Sequence, residues 1–175
     1  MQTYEAILAV GGKSNSLGRA SEVIEMVLAN PASLNELFQC IFANDAWIRM
    51  RAIDSFEKIC RLHPEWIEPY IDTMLSELTS STQPSIQWHL AEIFAEVEMT
   101  RKQTNTAIAW LKERISSTDV DWIVSVNTMK ALLEFESKGL VTAKELIALF
   151  TIQKQHASQS VRKKATVFAE KLQDK

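Results

Sequence analysis

Cysteine is scarce in this sequence: Cys40 and Cys60 stand alone, with no CxxC pair and no Cys/His cluster. That argues against a disulfide framework and a thiolate metal site, and leaves buried free thiols in a reducing compartment as the expectation. Glycine and proline are also sparse, four of each, and the dipeptides that close β-hairpins are missing, so strands have little support. No stretch approaches the roughly 18 uncharged apolar residues of a membrane span. The opening "MQTYEAILAV" lacks a basic region and has too short an apolar run for a signal peptide, so a cytoplasmic chain without a membrane role is expected. The three histidines, His63, His89 and His156, show no HExxH or paired spacing, which points to loop, ridge and loop placements rather than to metal or catalysis.

What is present is the composition of an ordinary globular protein. The 175 residues are 46% hydrophobic and 23% charged, enough for one domain over 1–175 that hides roughly 70% of its unfolded surface. The net charge of −3 is unevenly spread: residues from Gln153 onward sum to +4, and those before to −7.

The chain also repeats itself. Ile48 of "IRMRAIDSFEKI", Ile86 of "IQWHLAEIFAEV", Val124 of "VSVNTMKALLEF" and Val161 of "VRKKATVFAEKL" are spaced by 38, 38 and 37 residues, and a weaker copy, "SLGRASEVIEMV", starts at Ser16. Offsets 4, 5, 8 and 11 give Ala52, Ile53, Phe56 and Ile59 in one copy and Leu90, Ala91, Phe94 and Val97 in the next. Thr128, Met129, Leu132 and Phe135 follow, then Ala165, Thr166, Ala169 and Leu172. On a helix these offsets form one stripe, so each copy predicts an amphipathic helix. Between copies lie second apolar patterns, "SLNELFQCIF", "PEWIEPYIDTMLSEL", "TNTAIAWLKERI" and "TAKELIALFTI". Pro31 and Pro64 open segments, Thr104 and Thr142 are expected N-caps, "TAKE" has capping-box spacing, and Gly139 is an expected stop. The unit is helix, short turn, helix.

These residues resemble the HEAT repeats. "PYIDTMLSELTSSTQPSIQWHLAEIFAEV" is similar to the family pattern in its early Pro69, its turn with Pro84, and its apolar-Ala pair at Ala91. "DAWIRMRA" and "SVRKKA" add the apolar-Arg pair and the later Ala, whereas the Arg is replaced by Gln87 in the third copy and Ser125 in the fourth. The resemblance implies an all-α, right-handed α-α superhelix, an armadillo-like solenoid of about five helix pairs.

"AVGGKSNSLGRAS" contains Gly12-Lys13-Ser14, the end of a phosphate-binding loop, but such a loop needs a glycine at the place of Ile7, a strand before it and a helix behind. The stretch reads as a linker: Gly11 and Gly12 stop a short helix, and Ser14, Asn15 or Ser16 caps the next. No catalytic constellation, cofactor or metal site is expected. Trp66 and Trp110 fall in first-helix patterns and Trp47 and Trp122 at the starts of second helices, where packing with the indole N–H bonded to a turn is expected.

The outward offsets 2, 6 and 10 read Met50, Asp54, Lys58; Trp88, Glu92, Glu96; and Val126, Lys130, Glu134. Four acids against two bases do not suit a phosphate backbone, which speaks against the DNA glycosylase activity of some HEAT-like proteins. Met50, Trp88 and Val126 form an apolar row that either fills the seam between repeats or makes a docking patch flanked by Asp54, Glu92, Lys130 and Glu134. The expected function is a non-enzymatic scaffold binding a protein or peptide, an apolar segment with basic flanks, on that face. The last copy differs, with Arg162, Lys163 and Lys164 able to meet an acidic partner or, as the alternative, nucleic acid.

Overall fold

Sparse glycine and proline and a 3.6-residue apolar period leave helices as the way to bury this chain. The computed structural model describes residues 2–12 and 16–173, and among them lie ten α-helices and no strand. The chain divides into two compact units, Met1–Ile67 and Glu68–Lys175.

The first unit holds α1 (Tyr4–Leu8), α2 (Ala20–Ala29), α3 (Leu34–Cys40) and α4 (Ala46–Leu62). α1, α2 and α3 all pack on α4. The expected stripe, Ala52, Ile53, Phe56 and Ile59, is fully buried, and Phe56 meets Phe38 of α3 at 5.4 Å between ring centroids. Burying such side chains contributes about 1.5–3 kcal/mol each and holds the unit together.

Arg51 also lies on the inner side of α4, 1% exposed, and the glycine linker is what satisfies it. Its guanidinium donates from Nε to the Ser16 carbonyl at 2.9 Å, from Nη1 to that of Leu8 at 2.8 Å, and from Nη2 to that of Gly12 at 2.7 Å. Gly18 makes the loop's close return possible. Its φ is +54°, and a Cβ there would stand 1.9 Å from the Val10 carbonyl oxygen. The loop therefore turns carbonyls toward a cation, the reverse of the amide cradle that holds a phosphate. Lys13, Ser14 and Asn15 lie outside the described residues. α2 takes Arg19 as its N-cap residue with no side-chain bond, so Ser16 is not the expected cap; its hydroxyl accepts from the Gly18 N–H instead.

The second unit holds α5 (Ile71–Glu77), α6 (Pro84–Glu96), α7 (Arg101–Arg114), α8 (Trp122–Ser137), α9 (Ala143–Gln153) and α10 (Gln159–Gln173). α5 packs on α7, α6 on α8, and α10 on both α8 and α9. α8 is touched by α6, α7, α9 and α10, and residues 124–129 are all buried. A helix covered on all sides has apolar or small residues all round, as here. The stripe residues Leu90, Ala91, Phe94 and Val97, and Thr128, Met129, Leu132 and Phe135, are buried as the offsets predict.

One contact recurs at the same place in three copies. The residue at offset 1 reaches back six residues to the turn before its own helix: Arg49 Nη1 to the Ala43 carbonyl at 2.8 Å, Gln87 Nε2 to that of Ser81 at 2.8 Å, and Arg162 Nη1 to that of His156 at 2.7 Å. Carbonyls in a turn before a helix lack helical partners, and this side chain supplies one. The fourth copy has Ser125 there, too short to reach. Its turn is held instead by Gln153 of α9, whose Nε2 donates to the Ile115 and Ser117 carbonyls at 2.9 and 2.7 Å while its Oε1 accepts from the Ser125 hydroxyl at 2.8 Å. His156 completes the anchor: Nδ1 accepts from the Ser158 N–H, which leaves the proton on Nε2 to donate to the Val120 carbonyl at 2.8 Å.

Several local expectations are corrected. α7 is capped four residues before Thr104, because Thr100 and Gln103 already form a capping box; Thr104 is buried inside the helix. "PEWIEPYIDTM" is two short 3-10 turns, Pro64–Trp66 and Glu68–Tyr70, before α5, since Pro69 has no N–H to continue a helix. Trp122 is 51% exposed because it stands at the first position of α8, ahead of the packed stretch. His89 faces the interior of α6 rather than a ridge, with Nδ1 2.6 Å from the Ser85 carbonyl oxygen. Trp110 does behave as expected, donating from Nε1 to the Thr79 carbonyl at 3.0 Å, and so do the box at Thr142 and Glu145 and the stop at Gly139.

Candidate functional site

Charge and exposure decide which outward positions are open to a partner. In the first unit Met50 is half-buried, and Asp54 is occupied by Lys58 at 2.7 Å. In the second unit Trp88 and Glu92 are half-buried and Glu96 is exposed. Val126 is only 8% exposed. The apolar row is therefore broken at its last member, because α8 is covered on every side at that depth.

Lys130 and Glu134 are exposed one and two turns further along α8, where its covering ends. They line a groove of about 350 Å³ between α8 and α10, with Leu133 and Phe168 as half-buried walls, Leu172 as floor, and Lys164 and Lys171 along α10. Lys164, Phe168 and Lys171 recur at i, i+4 and i+7, one face of a helix, and the Lys164 ammonium stands 5.9 Å from the Phe168 ring centre. Two residue sets treated separately in the sequence thus share one groove: Lys130 and Glu134 with Lys164. The remaining two members of the basic set separate from it. Arg162 is committed to the His156 and Ala157 carbonyls, and Lys163 is exposed on α10 without lining the groove.

Leu133, Phe168 and Lys171 were not legible as site residues. The signal existed in the 164/168/171 spacing, but Phe168 falls outside the core stripe of its copy, and only the packing of α10 on α8 gives it a facing wall.

A second cleft, of about 420 Å³, lies among 82–87 and 113–121. Three of its ionic groups are engaged: Asp121 caps α8 through the Ile123 N–H at 2.9 Å, and Arg114 pairs with Glu113 at 2.7 Å with its guanidinium 5.8 Å from the Trp110 ring centre. Cys40 is chemically quiet. Burial first, then Glu5 and Glu36, push its thiol up to about 11, and the Sγ–H donates to the Glu36 carbonyl. Among the described residues no group of three or more His, Cys, Asp or Glu is placed to hold a metal ion, and no helix is long and apolar enough to cross a membrane. No family model matches this chain, and neither a curated protein nor a solved structure matches it.

Proposed function

We propose that this chain is a cytoplasmic, HEAT-like α-solenoid of about five helix pairs, forming one domain over 1–175, that works as a non-enzymatic scaffold binding a protein segment on its second helices. Two features support the solenoid reading. Helices of equal offset lie side by side within the second unit, α5 on α7 and α6 on α8, as stacked repeats require. The side-chain bond to the preceding turn recurs at one offset in three copies.

The single observation that carries the binding reading is the groove between α8 and α10, where apolar walls from Leu133 and Phe168 lie beside the exposed side chains of Lys164 and Lys171. Its volume of about 350 Å³ suits one or two large side chains, the scale of an anchor residue in peptide recognition. Within the second unit Trp88 is half-buried and Val126 buried, so the apolar row adds little to this site.

Site-specific photo-crosslinking tests this. A photoreactive amino acid placed at Leu133 in native lysate is expected to give discrete protein adducts, and one at the exposed Asn105 of α7 to give none. Equal labelling at both positions, or no adduct at Leu133, overturns the reading.

A further inference from the structure

The walls of the groove differ in charge, and that difference selects an occupant. The α10 wall carries Lys164 and Lys171 and no acid; the α8 wall carries Lys130 with Glu134 and Glu136. Beyond the rim the exposed face of α10 adds Lys163 and Val167, the latter 57% exposed, against a single acid, Glu170. The acids that suggested a basic-flanked partner are less available than the sequence implies, since Asp54 is taken by Lys58 and Glu92 is half-buried.

We infer that the α8–α10 groove takes an acidic, amphipathic protein segment whose aliphatic or aromatic anchor sits between Leu133 and Phe168 and whose carboxylates pair with Lys164 and Lys171. This rests on the segment-docking role proposed above and adds the chemistry of the segment. Geometry supports it independently of charge. Lys164 and Lys171 are seven residues apart on α10, about 10 Å at 1.5 Å per residue, and Phe168 lies between them. An anchor on Phe168 therefore has an ammonium available on each side along the helix. Glu134 and Glu136, on the opposite wall, repel a second row of acids and so set the side on which the segment's carboxylates lie. Lys164, already above the Phe168 ring, is positioned to cover an inserted side chain.

The test is a titration of the full chain, followed by amide chemical shifts, with two synthetic peptides that share a leucine and phenylalanine core. One is flanked by glutamates and the other by lysines. The expected result is saturable binding of the glutamate peptide, with shifts centred on Lys130–Ser137 and Lys164–Leu172. Affinity should weaken about tenfold or more in Lys164→Glu/Lys171→Glu, and also as salt is raised. Both lysines are exposed, so the variant should melt like the parent, and Lys163→Glu, set beside Lys164→Glu alone, serves as a control of equal charge change outside the groove. Tighter binding of the lysine peptide with shifts at the groove overturns the acidic chemistry but keeps segment docking. Absence of binding by either peptide overturns both. A single-stranded oligonucleotide or an anionic vesicle that binds as well as the glutamate peptide, with no need for the apolar core, overturns the protein-segment assignment in favour of a general polyanion surface.

Discussion

At the scale of single residues, Arg51 shows how a side chain can be read correctly as helical and still be misjudged. The Ile48 copy places it at offset 3, outside the stripe, where charge belongs in water, yet it is fully buried and spans three carbonyls 35 to 43 residues away in sequence. Nothing in the helical period signals this, because the partners are backbone atoms of a loop. Arg51→Met should therefore cost about 3 kcal/mol or more, since it leaves three carbonyls without their donor; urea denaturation of the variant measures it. A loss below about 1 kcal/mol would mean that water replaces the guanidinium without penalty. By contrast, Phe56, Phe94 and Leu132 were legible, because apolar burial follows the period directly.

At the scale of elements, caps were legible where side chains act within four residues. The box of Thr142 and Glu145 forms as "TAKE" predicts, with Lys112 of α7 adding an ion pair at 2.9 Å. That hydrogen bond to Lys112, followed by those to Thr142, pulls the Glu145 carboxyl down to about 2. A depressed carboxyl contributes stability above its ordinary range, and the contribution is lost as pH falls from about 4.5 toward 2. Because Glu145 is exposed, screening keeps it below about 1 kcal/mol. The melting temperature of Glu145→Gln should lie below that of the parent near neutral pH and converge with it near pH ~2; a constant gap would show that the carboxylate charge is not the cause. At Thr104 the same logic was applied to the wrong threonine: Thr100 and Thr104 are both plausible caps four residues apart, but only Thr100 has a Gln three residues on to complete a box, and Thr104 faces inward.

At the scale of the whole molecule, the repeat gave the order of helices, and the docking face depended on what each helix packs against. Val126 sits at an outward offset, and α8 has neighbours on that side too, so the row ends there and the groove opens further along the helix. The anchor of the 115–120 loop is likewise a relation between copies. Gln153→Ala removes the donor to the Ile115 and Ser117 carbonyls and the acceptor of the buried Ser125 hydroxyl, and should cost about 2–4 kcal/mol; hydrogen exchange should show faster opening at 115–121 while α4 is unchanged. Uniform acceleration across the second unit would show instead that the loop and the α8 packing open together.

That anchor also constrains how the sequence can change. Ser125 occupies the position where other copies carry Arg or Gln, and Gln153 fills the space that a longer residue there would need. Ser125→Arg alone would drive a guanidinium into a site that Gln153 fills, and Gln153→Ser alone would leave the Ile115 and Ser117 carbonyls without their donor, so each single change is expected to cost stability. Ser125 and Gln153 are thus coupled across 28 residues of sequence, and what either position can accept depends on the residue at the other.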